Sequence, residues 1–168
     1  MSRKYLFHNT SHLYFVTFTT INWIDVFTRD EYRNIVVESI RFCQEKKGLE
    51  VFAWCIMTNH VHLIIRSVGK PGLSGVVRDL KSYTSRHIRK ELEAHMGESR
   101  KEWMLWMMYK AGQWNSNNKD YQFWQQSSHP VELDTREKLF QRLHYIHENP
   151  VKAGFVDAPE HWRWEGFY

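Results

Sequence analysis

The chain has 168 residues, 42% hydrophobic and 15% aromatic, and carries 23 Lys and Arg against 19 Asp and Glu, a formal net charge of +4. That is enough apolar chain for the core of one domain spanning 1–168, and no apolar run approaches the length that spans a bilayer, so no membrane partner is expected. The mild basicity permits a polyanion partner without demanding one, and the only two cysteines, Cys43 and Cys55, form no CxxC pair, which argues against a zinc knuckle and for reduced thiols.

Met1-Ser-Arg-Lys-Tyr-Leu6 has no signal-peptide h-region, so a cytoplasmic location is expected. Leu13–Thr20 is aromatic and β-branched with near alternation and reads as a strand. Thr28-Arg-Asp-Glu31 has the pattern of a capping box, with Thr28 as N-cap, and Tyr32, Val36, Ile40 and Cys43 recur at helical spacing. Gly48 stands where a C-terminal cap glycine belongs, so a helix is predicted over 29–47. Leu49–Met57 and His60–Arg66 read as two strands of a hairpin turning at Thr58-Asn59, and Lys70-Pro-Gly-Leu73 as a breaker.

A second helix is predicted over 73–94, with Leu73, Val76, Val77, Leu80 and Thr84 on one face. Tyr83 falls on that apolar side and reads as packing. The other face carries Arg78, Lys81 and Arg86 among other basic and hydroxyl residues. It is either a solvated face or, next to a metal site, a track for phosphates. Residues 96–119 form a Trp- and Met-rich insert with a short helix over 100–111 and a polar loop, Asn115–Lys119. Its Trp/Met cluster is read as local core in preference to a partner surface or a platform for stacking bases. Asp120–Gln126 reads as a fourth strand, and a last helix is predicted from Asp134-Thr-Arg-Glu137 to Asn149, stopped by Pro150. The order β-α-β-β-α-(insert)-β-α predicts an α+β fold: a ferredoxin-like, four-stranded antiparallel sheet with packed helices.

Two places carry chemistry. His60 and His62 lie two apart on a predicted strand, so both side chains point to one face while Val61 points into the core on the other. Such a pair is either a polar patch on a solvated strand or two imidazoles able to hold a divalent cation. On the last helix Leu139, Phe140, Leu143 and Ile146 mark the core face, whereas Tyr145 sits among Lys138, Arg142 and Asn149 on the polar face. A phenol can attack phosphorus and form a covalent phosphotyrosine. Asn149, one turn beyond Tyr145, is the natural third ligand beside His60 and His62 for a cation that orients the phosphate. No GxxxxGK loop is present, in keeping with chemistry that stores bond energy covalently. Arg78, Lys81, Arg86, Arg142 and Lys152 are the candidate DNA phosphate contacts.

Trp54…Met57-Thr-Asn-His60-Val-His62-Leu-Ile-Ile, then Asp79-Leu-Lys-Ser-Tyr-Thr-Ser85, then Tyr145-Ile-His-Glu-Asn149-Pro-Val-Lys152-Ala-Gly-Phe-Val resembles the IS200/IS605-type single-tyrosine transposases, and within them the REP-associated branch, from about Leu13 to Val156. The resemblance implies an HUH nuclease fold, with His60, His62 and Asn149 as metal ligands and Tyr145 as nucleophile. It implies Mg²⁺ or Mn²⁺ as cofactor and single-stranded DNA with a hairpin as substrate. Cleavage would leave a 5′-phosphotyrosine and a free 3′-OH, as in the transposition of an insertion sequence. Members of the wider family are homodimers that swap the tyrosine helix, whereas REP-associated members can work as monomers. The 96–119 insert is longer than the minimal family core, and relatives commonly continue further beyond the position of Val156. The alternative to the enzyme is a non-catalytic single-stranded nucleic-acid-binding domain of the same descent. Hydrolysis by an activated water, with Glu148 as base, ranks lower because Glu148 lies off the Tyr145–Asn149 stripe.

Overall fold

The computed structural model describes residues 7–116, 120–126 and 128–167. The N-terminal hexapeptide and residues 117–119 of the polar loop lie outside the described residues. Strands β1 (Leu13–Thr19), β2 (Leu49–Ile56), β3 (His60–Ser67), β4 (Val131–Leu133) and β5 (Glu165–Phe167) form one antiparallel sheet in the order β4-β1-β3-β2-β5. Helices α1 (Asp30–Lys47), α2 (Gly72–Ala94), α3 (Lys101–Gln113) and α4 (Arg136–Lys152) pack on it. The first four strands with α1 and α2 have the expected ferredoxin-like arrangement. β5 adds a fifth strand at the β2 edge, beyond the four expected.

Alternation along the strands divides the interior in two. Tyr14, Val16 and Phe18 of β1 and Val61, Leu63 and Ile65 of β3 face α1 and α2, meeting Tyr32, Val36, Ile40, Val76, Leu80 and Ile88. Phe15, Ala53, Cys55 and Ile64 face the other way, where α4 covers them through Ile146, Leu139 and Leu143. Phe140, expected on that core face, is 59% exposed, because it lies at the edge of the helix's apolar arc. Both cysteines are buried and free. Among the described residues no helix is long and apolar enough to cross a membrane.

Several local expectations are corrected. α1 starts at Asp30 after Arg29, with no side-chain cap; the Thr28 hydroxyl instead accepts from Arg100 Nη2 at 2.9 Å. Gly48 ends α1 in the left-handed region at φ 66°, as its position predicts. Asp120–Gln126 is not a strand. Phe123 and Trp124 are buried consecutively, without alternation, and the segment makes a single bridge, Thr20 to Trp124. The fourth strand is Val131–Leu133, too short to show a period. Pro150 does not stop α4, which runs on to Lys152. Pro150 forfeits only the one bond its N–H would have given Ile146 O, and the helix closes where Gly154 N bonds Val151 O and Phe155 N bonds Pro150 O, with Gly154 at φ 77°. In the insert, Met104 and Met108 enter the core, but Trp103, Trp106 and Trp114 are exposed. Tyr83 is also exposed, stacked on His87.

One buried carboxylate pins the α2–α3 connection to the start of α1. Glu98 accepts from Arg29 Nε at 3.0 Å and from Arg100 Nε and N at 3.1 Å, and Arg100 reaches on to Asp25 O. Burial alone would raise its pKa, but the bonds from Arg100 and Arg29 outweigh it and hold the carboxyl at about 2. Glu98→Ala removes the acceptor of two part-exposed arginines and is expected to destabilise by about 1–3 kcal/mol, read as the urea midpoint. A carboxyl whose folded pKa is depressed stabilises above its unfolded pKa, so this contribution should be lost as pH falls from about 4.5 towards 2. An unchanged midpoint would rule out the clamp.

Candidate active site

His60 and His62 leave β3 on the face that α4 covers. Across β1, His62 pairs with Thr17 and His60 with Thr19; across β2, His62 pairs with Cys55. The solvated-strand alternative does not hold for His62, which is 3% exposed. The two rings are 4.6 Å apart, near perpendicular.

Each ring is fixed through Nδ1. His62 Nδ1 lies 2.8 Å from Thr17 Oγ1, and His60 Nδ1 lies 2.7 Å from Asn59 Oδ1. The Asn59 amide also donates to Trp23 O and to Asp25 Oδ1, tying the β2–β3 turn to the segment after β1. With Nδ1–H donating, as Asn59 Oδ1 requires of His60 and Thr17 Oγ1 permits of His62, Nε2 carries the lone pair of each ring. His62 Nε2 is buried and has no hydrogen-bond partner among the described residues. Burial lowers the pKa of both rings. For His62 the nearby His60 and Arg142 add to it, taking the value to about 3, while for His60 a hydrogen bond with the Asn149 side chain opposes it. Both imidazoles are therefore neutral at pH 7, the form that ligates a metal.

α4 brings the other half. Ile146 is its fully buried anchor on the sheet, which turns the stripe Arg142, Tyr145, Asn149 towards the histidines. The Tyr145 ring stands 5.3 Å from His62 and 5.9 Å from Phe15, edge-on to both. Tyr145 is 36% exposed, so one side of the phenol remains open to solvent. The Arg142 guanidinium lies 4.9 Å from the Phe15 ring centre and 5.8 Å from that of Tyr145.

His60, His62, Tyr145, Asn149 and Arg142 thus converge, and Lys152 is exposed in the last turn of the same helix. The other basic residues do not join them. α2 packs on the opposite face of the sheet, so its basic side does not lie beside the histidines as expected. There Arg78 pairs with Asp79, Lys81 bonds Gln125 O and Ser128 Oγ, and Arg86 bonds Ser82 O of its own helix. Thr17 and Asn59 were not singled out from sequence. Thr17 needed the β1–β3 register, and Asn59 could have been suspected only as the residue before His60.

Among the described residues no three His, Cys, Asp or Glu cluster as a metal group. A third protein donor at the histidines must come from another residue type, and the Asn149 amide is already in contact with His60. The buried, unpartnered His62 Nε2 and the neutral donor set fit a divalent cation. Orienting partners of metal-binding histidines typically matter 10–100-fold. Thr17→Val is therefore expected to weaken Mn²⁺ binding by roughly that factor, measured by calorimetric titration. Wild-type affinity in this variant would mean Thr17 does not set the ring.

Among proteins of curated function, none matches the chain. Among solved structures, the chain is similar to that of a REP-associated tyrosine transposase bound to a REP hairpin, with a TM-score of 0.65, 17% identity, and coverage of 98% of this chain and 82% of that one. At that identity the likeness concerns the fold. A second structure, of a candidate transposase from Deinococcus radiodurans R1, is 18% identical over 89% of this chain and 95% of that one, with a TM-score of 0.45. The family model described as "Transposase IS200 like" matches residues 8–122, a span that holds His60 and His62 and ends before α4. With well over half of its 168 residues matched, the chain belongs to the IS200-like transposases.

Proposed function

We propose that this transposase cleaves and rejoins single-stranded DNA through a covalent bond to Tyr145. The observation that carries the proposal is the meeting of Tyr145 and Asn149, from one helical stripe, with the paired histidines of β3, one of which keeps a buried Nε2 without a partner among the described residues. In the forward step Tyr145 Oη bonds to phosphorus and releases its proton to solvent. The bond from phosphorus to the 3′-oxygen breaks, and that oxygen takes up a proton, leaving a free 3′-OH and a 5′-phosphotyrosine. Attack by a second 3′-OH reverses the step and joins a new strand.

Charge withdrawal from a non-bridging phosphate oxygen is the chemistry that a bound divalent cation supplies. His60, His62 and Asn149 would hold it. Two imidazole donors favour a transition-metal ion over Mg²⁺, so Mn²⁺ should support the reaction at lower concentration. Thr17 and Asn59 keep the rings in place. Arg142, beside the phenol, would bind the phosphate, and Lys152 would extend the phosphate contacts along α4. Arg78, Lys81 and Arg86, on the other face of the sheet, have no role in this step.

The similar solved chain is bound to a hairpin, and a hairpin with a single-stranded flank is the substrate proposed here. The test uses single-stranded oligonucleotides tiled across the DNA that flanks the coding sequence, incubated with Mn²⁺ and run on a denaturing gel. A protein–DNA adduct that EDTA prevents is the expected result. Binding of a hairpin oligonucleotide with no adduct on any tile would contradict the proposal and favour a non-catalytic binding domain.

A further inference from the structure

A cleft of ≈ 700 Å³ opens between the short 3₁₀ turn Ile21–Trp23 and α3, outside the cluster of Tyr145 and the histidines. Two indoles border it, Trp23 at 59% and Trp114 at 89% exposure. Between them the lining offers the amides of Asn22, Gln125 and Gln126 and the ammonium of Lys110, and none of the lining residues is acidic. Trp23 also borders the catalytic cluster: its ring lies 6.3 Å from that of His60, and its carbonyl accepts from Asn59, the residue that fixes His60.

The backbone at this point is costly. Trp23 has φ 54° directly after Asn22 at φ 51°. Asparagine tolerates the left-handed region, but a bulky aromatic residue there is a strained outlier, of order 1–3 kcal/mol. Little burial offsets it, because most of the Trp23 side chain faces solvent. Strain held at an exposed indole beside a catalytic cluster points to a ligand for that indole.

We infer that this cleft holds an unpaired base of the DNA strand next to the cleaved phosphate, stacked on Trp23 with Trp114 as the second platform and met at its edges by the Asn22 and Gln126 amides. The chemistry favours a nucleotide over other occupants. Indole faces accept any base, amides pair with base edges, and Lys110 with an acid-free wall suits a phosphate backbone. Position agrees, since the Trp23 ring lies 6.3 Å from that of His60. The inference rests on the proposed cleavage of single-stranded DNA and adds the subsite that selects the flanking base.

The test separates the two. Binding is measured in EDTA, so that no chemistry is involved, with a mixed-sequence single strand of about twelve nucleotides carrying 2-aminopurine, whose fluorescence falls on stacking. Trp114→Ala and Trp23→Gly are each expected to weaken binding and quenching about tenfold. Glycine removes the strain at position 23, so Trp23→Gly should melt at or above the wild-type temperature, which a purely structural tryptophan would not do. Wild-type affinity in both variants would overturn the subsite, whatever the wild-type adduct assay gives. Weakened binding in the variants with no wild-type adduct would keep the subsite and remove the cleavage reaction.

Discussion

Tyr145→Phe is expected to abolish the covalent protein–DNA adduct while hairpin binding and melting temperature stay at wild-type values. The substitution removes one oxygen and keeps the ring, so the edge contacts with His62 and Phe15 survive and no cavity forms. Tyr145 is 36% exposed, so part of the phenol faces solvent rather than the core. The effect should therefore appear in the chemistry alone, as a total loss, because among the described residues no other tyrosine ring meets the paired histidines. Tyr83 lies on α2 and stacks on His87, on the far side of the sheet. An adduct of undiminished yield in Tyr145→Phe would remove this residue from the reaction.

His62→Ala should act through the metal. The variant loses the buried Nε2 lone pair and the ring that Thr17 orients. Loss of several kcal/mol of charge stabilisation corresponds to about a thousandfold slower cleavage or more. Mn²⁺ binding followed by electron paramagnetic resonance should weaken in parallel, a readout independent of turnover. The pH dependence carries its own sign. Burial holds the folded His62 at about 3, below the ordinary histidine value of 6.5. A depressed histidine pKa means the unfolded chain binds more protons, so the metal-free protein should lose stability as pH falls from 6.5 towards 3. His62→Ala should flatten that acid limb. An unchanged limb together with unchanged Mn²⁺ binding would mean that His62 is neither buried nor a ligand.

The sequence was most legible where a period alone determined direction. Two residues of strand put His60 and His62 on one face and Val61 on the other, and four residues of helix put Tyr145 and Asn149 on one stripe. Both arrangements hold in the fold. Ile146, beside Tyr145, was the clue to how the halves meet, since burying it forces the adjacent stripe onto the sheet. What failed depended on pairing or on partners distant in sequence. The basic side of α2 looked like part of the site, but α2 packs on the face opposite the histidines, and residue spacing within one helix carries no information about that face. Thr17 became visible only through the β1–β3 register. The extended Asp120–Gln126 segment has strand composition but lends Phe123 and Trp124 to the core instead of a ladder. The insert was half legible: Met104 and Met108 are core as expected, but Met96 and the tryptophans Trp103, Trp106 and Trp114 are exposed. Their exposure cannot be read from composition, because an indole suits a core and a stacking surface equally well.

The most direct measurement is to digest the adduct with trypsin and nuclease and locate the nucleotide by mass spectrometry. The account predicts a single modified peptide, Leu143–Lys152, carrying a 5′-linked nucleotide on Tyr145. A nucleotide on Tyr83 or on any peptide outside α4 would contradict it.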